Sequence, residues 1–356
     1  MARRRPRAVD AVLIGMLVLI VAGVVALQVH MHGSSDTAGS SAPSASPTYP
    51  QTSIGNAYPS VTASTTPTTA PTTSVAPSTP GATVAPGAGA LQSSLAAQAQ
   101  SLAAQQPATF RVATFNVLGD SHTGGRGDEA ARPNGVVRMA RSVSVLRSHD
   151  VQVVGLQEFE TSQAKAFLKQ MGGAWQIYPN LPGDTRDAVA WRTDAFQAVQ
   201  EQTVRVPYFN GSLVTMPVVL LKDRRTGKEV YFFNVHNSAD TYKYHHQQAN
   251  RTSAMDREVQ VIEQMRAYKI PVIFTGDLNE REPAYCFFTA RAPLHAAYGG
   301  SNTGGRCNPP VFGGNTPIDW IFGTPDVTFS APIFDHSGLV RAATDHPFYA
   351  ATVTLR

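Results

Sequence analysis

Val272-Ile273-Phe274-Thr275-Gly276-Asp277-Leu278-Asn279 sets a short β-branched and aromatic run directly before a carboxylate and a carboxamide two residues apart. The run has the composition of a strand. Side chains alternate between faces in an extended chain, so Asp277 and Asn279 are expected on one side, where both can address one ligand. By itself the segment has a plain alternative, because Asp and Asn also populate ordinary turns. The pattern recurs elsewhere, however. Asn116 follows Ala113-Thr114-Phe115, Glu158 follows Val153-Val154-Gly155-Leu156-Gln157, and His236 follows Tyr231-Phe232-Phe233-Asn234-Val235. A polar group at the end of an apolar strand is held rigidly by the core behind it while it reaches a shared cleft. Strand ends of this kind predict one convergent site.

Strands are predicted at Phe110–Phe115, Val151–Leu156, Ala188–Trp191, Val218–Leu221, Val230–Val235, Val272–Thr275, Ile318–Phe322 and Phe348–Leu355. Arg224-Arg225-Thr226-Gly227-Lys228 lies between two of them and reads as a hairpin turn with Gly227 at a position of positive φ. Helical spacing fills other intervals, notably His246–Tyr268, where Met255, Val259, Ile262 and Met265 fall on one face. The expectation is an α/β domain that contains antiparallel strand pairs.

Working outward, Phe110 to Arg356 spans 247 residues, a length suited to one large domain. What precedes it cannot share its core. Ala11–Leu27 is an uncharged apolar run behind Arg3, Arg4, Arg5 and Arg7, near the lower limit of about 17 to 25 residues for a membrane-spanning helix. Residues 1–10 are thus expected on the cytoplasmic side, 11–29 as a single-pass signal-anchor, and the rest outside. A cleaved signal peptide is the competing reading, and it exports the domain equally. Residues 30–107 read as a disordered Ser/Thr/Pro/Ala-rich linker: between Gly33 and Ala90 there are nine prolines and one charge, Asp36. Within it, Leu91–Gln106 has helix-forming composition. The catalytic domain is expected over 108–356. Its charge is nearly balanced, 25 Lys/Arg against 23 Asp/Glu, and supplies no electrostatic footprint of a nucleic-acid binder.

Seven short phrases occur in order: TFNVLGD from Thr114, VGLQEFE from Val154, AVAWRTDAF from Ala188, FFNVHN from Phe232, FTGDLNER from Phe274, IDWIFG from Ile318 and TDHP from Thr344. Together they resemble the endonuclease/exonuclease/phosphatase superfamily, and the resemblance covers nearly all of residues 110–356. It implies a DNase I-like four-layer α/β sandwich, two packed mixed β-sheets flanked by helices, that hydrolyses phosphate esters with Mg²⁺ or Mn²⁺. By that resemblance Glu158, Asn116 and Asp345 are metal ligands. Asp277 and Asn279 orient the attacking water and the phosphate. His346, paired with Asp319, activates the water, and His236 contacts phosphate. The residue types suit the chemistry: Mg²⁺ prefers carboxylate, amide and water oxygen, and an Asp–His pair fixes the imidazole tautomer for base work.

Other features read more plainly. Asp335-His336 repeats the Asp-His dipeptide and is expected in a loop, and His245-His246 is expected to be solvated. Gly124-Gly125-Arg126-Gly127 lacks the lysine of a P-loop and reads as a flexible insertion beside the site. Cys286 and Cys307 are expected to be bonded in an oxidising compartment. Among substrates, nucleic acid is placed first, a lipid headgroup or small phosphate ester second, and a non-catalytic surface-binding module third. No protein partner is implied, and the membrane is met through the N-terminal helix.

Overall fold

The computed structural model describes residues 88–356. The anchor reading of 11–29, and the linker reading up to residue 87, lie outside the described residues. At the C-terminal end of that linker, where Leu91–Gln106 has helix-forming composition, Ala88–Gln105 forms helix α1. Ala, Leu and Gln lose little side-chain freedom in a helix, which accounts for it. Leu102 in α1 is 63% exposed. Among the described residues no helix is long and apolar enough to cross a membrane.

The remaining elements follow in the order β1 (Ala108–Asn116), α2 (Gly135–Ser148), β2 (Val153–Gln157), α3 (Thr161–Met171), β3 (Trp175–Tyr178), β4 (Asp187–Arg192), β5 (Phe196–Pro207), β6 (Leu213–Asp223) and β7 (Glu229–His236). Then come α4 (Gln248–Arg266), β8 (Val272–Asp277), α5 (Glu282–Arg291), β9 (His295–Ala296), β10 (Ser301–Thr303), β11 (Arg306–Asn308), β12 (Asp319–Gly323), β13 (Val327–Asp335), α6 (Gly338–Ala343) and β14 (Phe348–Leu355). Two six-stranded sheets form, ordered β13-β14-β1-β2-β4-β3 and β5-β6-β7-β8-β12-β9, with β10 and β11 as a separate hairpin. Each large sheet has one parallel pair, β1 with β2 and β7 with β8, and its other pairs are antiparallel. The expected mixed sandwich is what the chain builds.

Three apolar clusters define its four layers. Phe110, Val112, Val153, Val189 and Trp191 of one sheet meet Val219, Val230, Phe232, Ile273 and Ile321 of the other. On the outer face of the first sheet, Phe115, Val154 and Leu156 pack under Met139, Val143 and Phe167 of α2 and α3. On the outer face of the second, Phe233, Phe274 and Trp320 pack under Met255, Ile262 and Met265 of α4, and Phe288 of α5. All four residues expected on the buried face of α4 are buried. The hairpin turn also forms as expected, with Gly227 at φ +74°.

Six strands had no counterpart in the sequence reading: β3, β5, β9, β10, β11 and β13. β5 and β13 are edge strands, and the exposed Gln197, Glu201 and Thr203 dilute the apolar signal in β5. Cys286 of α5 is bonded to Cys307 of β11, tying the β10–β11 hairpin to the helix. The Asn302 side chain adds donors to the Cys286 carbonyl at 3.1 Å and Thr289 Oγ1 at 2.9 Å. Replacing Cys286→Ser and Cys307→Ser together is expected to lower unfolding stability by roughly 3 kcal/mol in the chain-entropy account. Urea unfolding checks this; an unchanged midpoint would show that hydrogen bonds alone hold the hairpin.

Candidate active site

Strand parity delivers the site. In β1, Phe110, Val112, Thr114 and Asn116 alternate onto the face between the sheets; Ile273, Thr275 and Asp277 do so in β8, and Val230, Phe232, Asn234 and His236 in β7. The inner face is therefore apolar at one end of the strands, carries small polar groups in the middle, and ends in acids, amides and imidazole. Registers align those ends: Asn116 faces Gln157, His236 faces Asp277, and Asp277 faces Asp319. The two parallel pairs thus present their carboxyl-terminal ends together.

A buried amide network fixes this end. Asn234 Nδ2 donates to the carbonyls of Leu156 at 2.9 Å and Ala188 at 3.1 Å on the opposite sheet. Its Oδ1 accepts from Gln157 Nε2 at 2.6 Å and Thr275 Oγ1 at 3.1 Å. Gly155 is required here: a Cβ would stand 2.2 Å from Thr275 Oγ1 and 2.3 Å from Asn234 Oδ1.

All eight residues expected from the sequence meet at one cleft. Glu158, His236, Asp277, Asn279, Asp345 and His346 line it, and Asn116 and Asp319 hydrogen-bond to members of that group. Asn116 lies between two carboxylates, with both ends of its amide bonded. Its Oδ1 accepts from the Leu118 N–H at 3.0 Å, while its Nδ2 donates to Glu158 Oε1 at 2.9 Å and Asp277 Oδ2 at 3.1 Å. It cross-links the two carboxylates. Asn279 reaches the cleft by a backbone other than the extended one expected: the strand stops at Asp277, and Asn279 sits at φ +48°, its N–H on Asp277 Oδ1 at 2.9 Å and its Nδ2 on the Asn237 carbonyl at 2.8 Å. The expected extended pairing with Asp277 is replaced by a side-chain turn. Glu158 is likewise left-handed, at φ +55°.

Asp277 Oδ2 is the hub, 3.6 Å from Nε2 of both His236 and His346. His346 Nδ1 lies 3.0 Å from Asp319 Oδ2, so the expected Asp–His pair is present. Burial opposes charge on His346, but Asp319, Asp277 and Asp345 outweigh it and hold its pKa well above the ordinary value. Asp319 is pushed up to about 6 by burial, with Asp277 adding to the shift and His346 opposing it. For Glu158 burial is outweighed by the His236 charge, the Gly119 N–H and the Asn116 amide, and its carboxyl lies below the usual range.

Oxygen donors fit a hard divalent cation. Each Glu158 oxygen accepts one N–H, Oε1 from Asn116 and Oε2 from Gly119 at 2.8 Å, and keeps its other lone pair. Asp345 lies exposed on the same cleft. Asp277, Asp319 and His346 also bring ligand atoms within 4.8 Å of one another. That trio is a weaker metal site, because Asp319 and the His346 Nδ1 are spent on each other.

Sequence reasoning missed several cleft residues. Asp187, the inward residue at the start of β4, has an Oδ1 shielded from solvent and without a partner. Burial pushes its pKa up to about 7; Asp184 and Glu158 add to the rise, while His236 and Arg186 oppose it. Parity one step before Val189 was the available signal. Arg186, locked to Asp184 at 2.5 Å, is the lone arginine of the lining. The segment between β1 and α2 contributes His122, whose Nδ1 lies 2.7 Å from Asp128 and whose Nε2 lies 3.7 Å from Glu158 Oε2. Asp335 is not in a loop as expected: it ends β13, paired with Phe348, and accepts from His149 at 2.8 Å, whereas His245 and His246 are exposed as expected.

With fold and cleft in view, the kinship is direct. A profile of the Endonuclease/Exonuclease/phosphatase family matches residues 113–346, and the chain belongs to that family, whose members are metal-dependent hydrolases of phosphate esters. No curated protein is similar to it in sequence. Among solved structures, a family protein from Bacteroides thetaiotaomicron is 21% identical with a TM-score of 0.53, over 70% of this chain and 99% of that one. The human Nocturnin catalytic domain with bound sulfate is 16% identical, TM-score 0.53, over 70% and 97%. D. rerio TDP2 complexed with single-strand DNA product is 16% identical, TM-score 0.51, over 69% and 99%. At these identities the likeness is one of fold.

Beneath the cleft, fully buried Glu258 of α4 accepts from Asn237 Nδ2 at 3.4 Å, and Glu258 Oε1 and Asn237 Oδ1 have no partner. Burial pushes the Glu258 pKa up to about 8 from an ordinary 4.5. The folded chain keeps a proton that the unfolded chain releases, so this group lowers stability progressively as pH rises from 4.5 to about 8. Glu258→Gln, whose amide can also donate to Asn237 Oδ1, is expected to raise the Tm at pH 8 and flatten its decline across that window. Thermal melts from pH 5 to about 8 measure it; an unaltered slope would show that Glu258 does not carry the proton.

Proposed function

We propose that this chain is a Mg²⁺- or Mn²⁺-dependent phosphoesterase that hydrolyses a compact phosphodiester or small phosphate ester by direct attack of water. The observation that carries this is the Asp277 hub, which places two imidazole nitrogens and the Glu158-bonded amide of Asn116 around one carboxylate oxygen. Glu158 and Asp345 would hold the cation, with Asn116 aligning Glu158. Bound there, the ion supplies Lewis-acid polarisation of a phosphoryl oxygen and a charge that opposes protonation of His346. His346 then accepts the water's proton at Nε2, its ring held by Asp319 at Nδ1. Asp277 orients that water, Asn279 fixes the turn that carries Asp277, and His236 faces the phosphoryl oxygens from the other side. No covalent enzyme intermediate is needed.

Charge in the cleft favours the compact substrate over nucleic acid, which the sequence reading placed first. Eight lining residues are carboxylic acids, against one arginine, three histidines and no lysine. A polyanionic strand gains its affinity from a basic track along its phosphates, and this lining supplies none. One wall is instead aromatic: Phe209 stacks on Tyr244 with centroids 4.6 Å apart, and Tyr208 stands 6.2 Å from His236. Such a wall suits the apolar part of a headgroup or small ester. A structural neighbour named as a mannosyl-6-phosphatase supports a small substrate, whereas TDP2 with its DNA product supports the nuclease alternative. We also propose that the domain works outside the cytoplasm, as the Cys286–Cys307 bond favours.

The test is hydrolysis by the full chain of a phosphodiester and phosphomonoester panel beside plasmid DNA, with Mn²⁺, Mg²⁺ or chelator. Chelator-sensitive hydrolysis of small esters, reduced at least about 100-fold in Asp277→Asn and in His346→Ala without loss of fold, is expected. Faster cleavage of plasmid than of any small ester would return the reading to a nuclease. Turnover of neither by the folded chain would end the catalytic proposal.

A further inference from the structure

Arg138 of α2 is fully buried, yet among the described residues no carboxylate is hydrogen-bonded to it. Its Nε donates to the Pro133 carbonyl at 2.9 Å, and its Nη1 to Val117 O at 2.7 Å and Ala343 O at 2.9 Å. Its Nη2 donates to Leu118 O at 2.6 Å, Gly119 O at 3.2 Å and Thr123 Oγ1 at 3.2 Å. A buried guanidinium with only neutral partners is poor for stability compared with apolar packing. What it does accomplish is geometric. Val117–Gly119 directly follow Asn116, and the Gly119 N–H is the donor to Glu158 Oε2. Ala343 closes α6, two residues before Asp345 and three before His346.

The same junction is held by two more arginines. Arg141 Nη1 donates to Ala342 O at 2.6 Å, and Arg132 Nη1 to Arg341 O at 2.8 Å and Thr344 O at 3.3 Å. The last carbonyls of a helix lack partners within it and carry partial negative charge, so guanidinium groups fit them. Thr344 Oγ1 completes the joint with a 2.8 Å bond to the Asn116 carbonyl.

We propose that Arg138 is a positioning residue of the site, keeping the loop that aligns Glu158 in register with the loop that carries Asp345 and His346, with Arg132 and Arg141 bracing the second loop. This rests on the phosphoesterase reading. Five donors in a planar fork make these bonds, and a lysine ammonium with three donors on a single atom cannot span both loops.

Calorimetric titration of Mn²⁺ into the full chain tests it without measuring turnover. In Arg138→Lys the Mn²⁺ Kd is expected to rise about tenfold in protein that still melts cooperatively, the scale of loss seen when groups supporting metal ligands are removed. A residue that only stabilises the fold would lower the Tm and leave the Kd of folded protein unchanged, and that result overturns the assignment. Should Arg138→Lys fail to fold, Arg132→Ala decides: its side chain is partly exposed, a smaller rise in Kd is expected, and an unchanged Kd overturns the proposal. If the unsubstituted chain binds no Mn²⁺, the phosphoesterase reading falls and Arg138 with it. Binding by the parent together with an unaltered Kd in the variants refutes the Arg138 assignment alone.

Discussion

Asn234 sends both hydrogens of its amide across the gap between the sheets, to carbonyls of Leu156 and Ala188, and receives Gln157 and Thr275 on its oxygen. Apolar layers such as Phe110 against Phe232 set the spacing of the sandwich but leave its register loose, because dispersion and burial are non-directional. A four-bonded amide is directional. It fixes β7 against β2 and β4 one residue pair below His236 and Gln157. Gly155 makes the close approach sterically possible, and the catalytic end opens directly above. The register of the two sheets at this end, and with it the placement of Glu158 against Asp277, is held by that contact.

Much of this was legible in the sequence because period-2 alternation survives in a sandwich whose strands bury both faces. Phe233 and Val235 face the helices, and Phe232 and Asn234 face the partner sheet, so the polar member of each terminal pair stands out against its neighbours. Glu158, His236, Asp277, Asp319 and His346 were readable on that basis and by family resemblance. Edge strands were not: β5 alternates Gln and Glu with Val on a half-solvated face, and the same pattern is common in loops. The backbone of Asn279 was misread because an Asx turn and an extended step share the same residues, and only the φ of +48° separates them. Asn234 and Arg138 were invisible for another reason. Each acts through backbone carbonyls brought close by the fold, and a carbonyl has no sequence signature.

The balance of charge in the cleft was also beyond the sequence. The domain's overall excess is close to neutral, yet the fold gathers acids from the ends of several strands and from the 117–134 segment between β1 and α2, and sends most arginines elsewhere. Arg132, Arg138 and Arg141 are spent on carbonyls at the end of α6, Arg251 on Asp240 and Glu280, and Arg192 on Asp150 and Asp194. A cleft of this kind is poor at capturing a polyanion unaided and is electrostatically incomplete without a cation.

That incompleteness has a cost in stability that identifies its purpose. Asp187, Glu258 and Asp319 are all raised by burial, to about 7, 8 and 6, and all stand at or directly beneath the same ends of the strands. Desolvating three carboxyls opposes folding at neutral pH, where each is ionised in the unfolded chain. A sandwich arranged for stability alone would continue the Phe, Val and Ile layers to the ends of its strands, as it does at the opposite end. Where local rules are broken together at one end of the strands, beside the Asp277 hub, the arrangement is that of a functional site and not of a core. The apolar end of the sandwich thus supplies the stability against which the polar end is held in place.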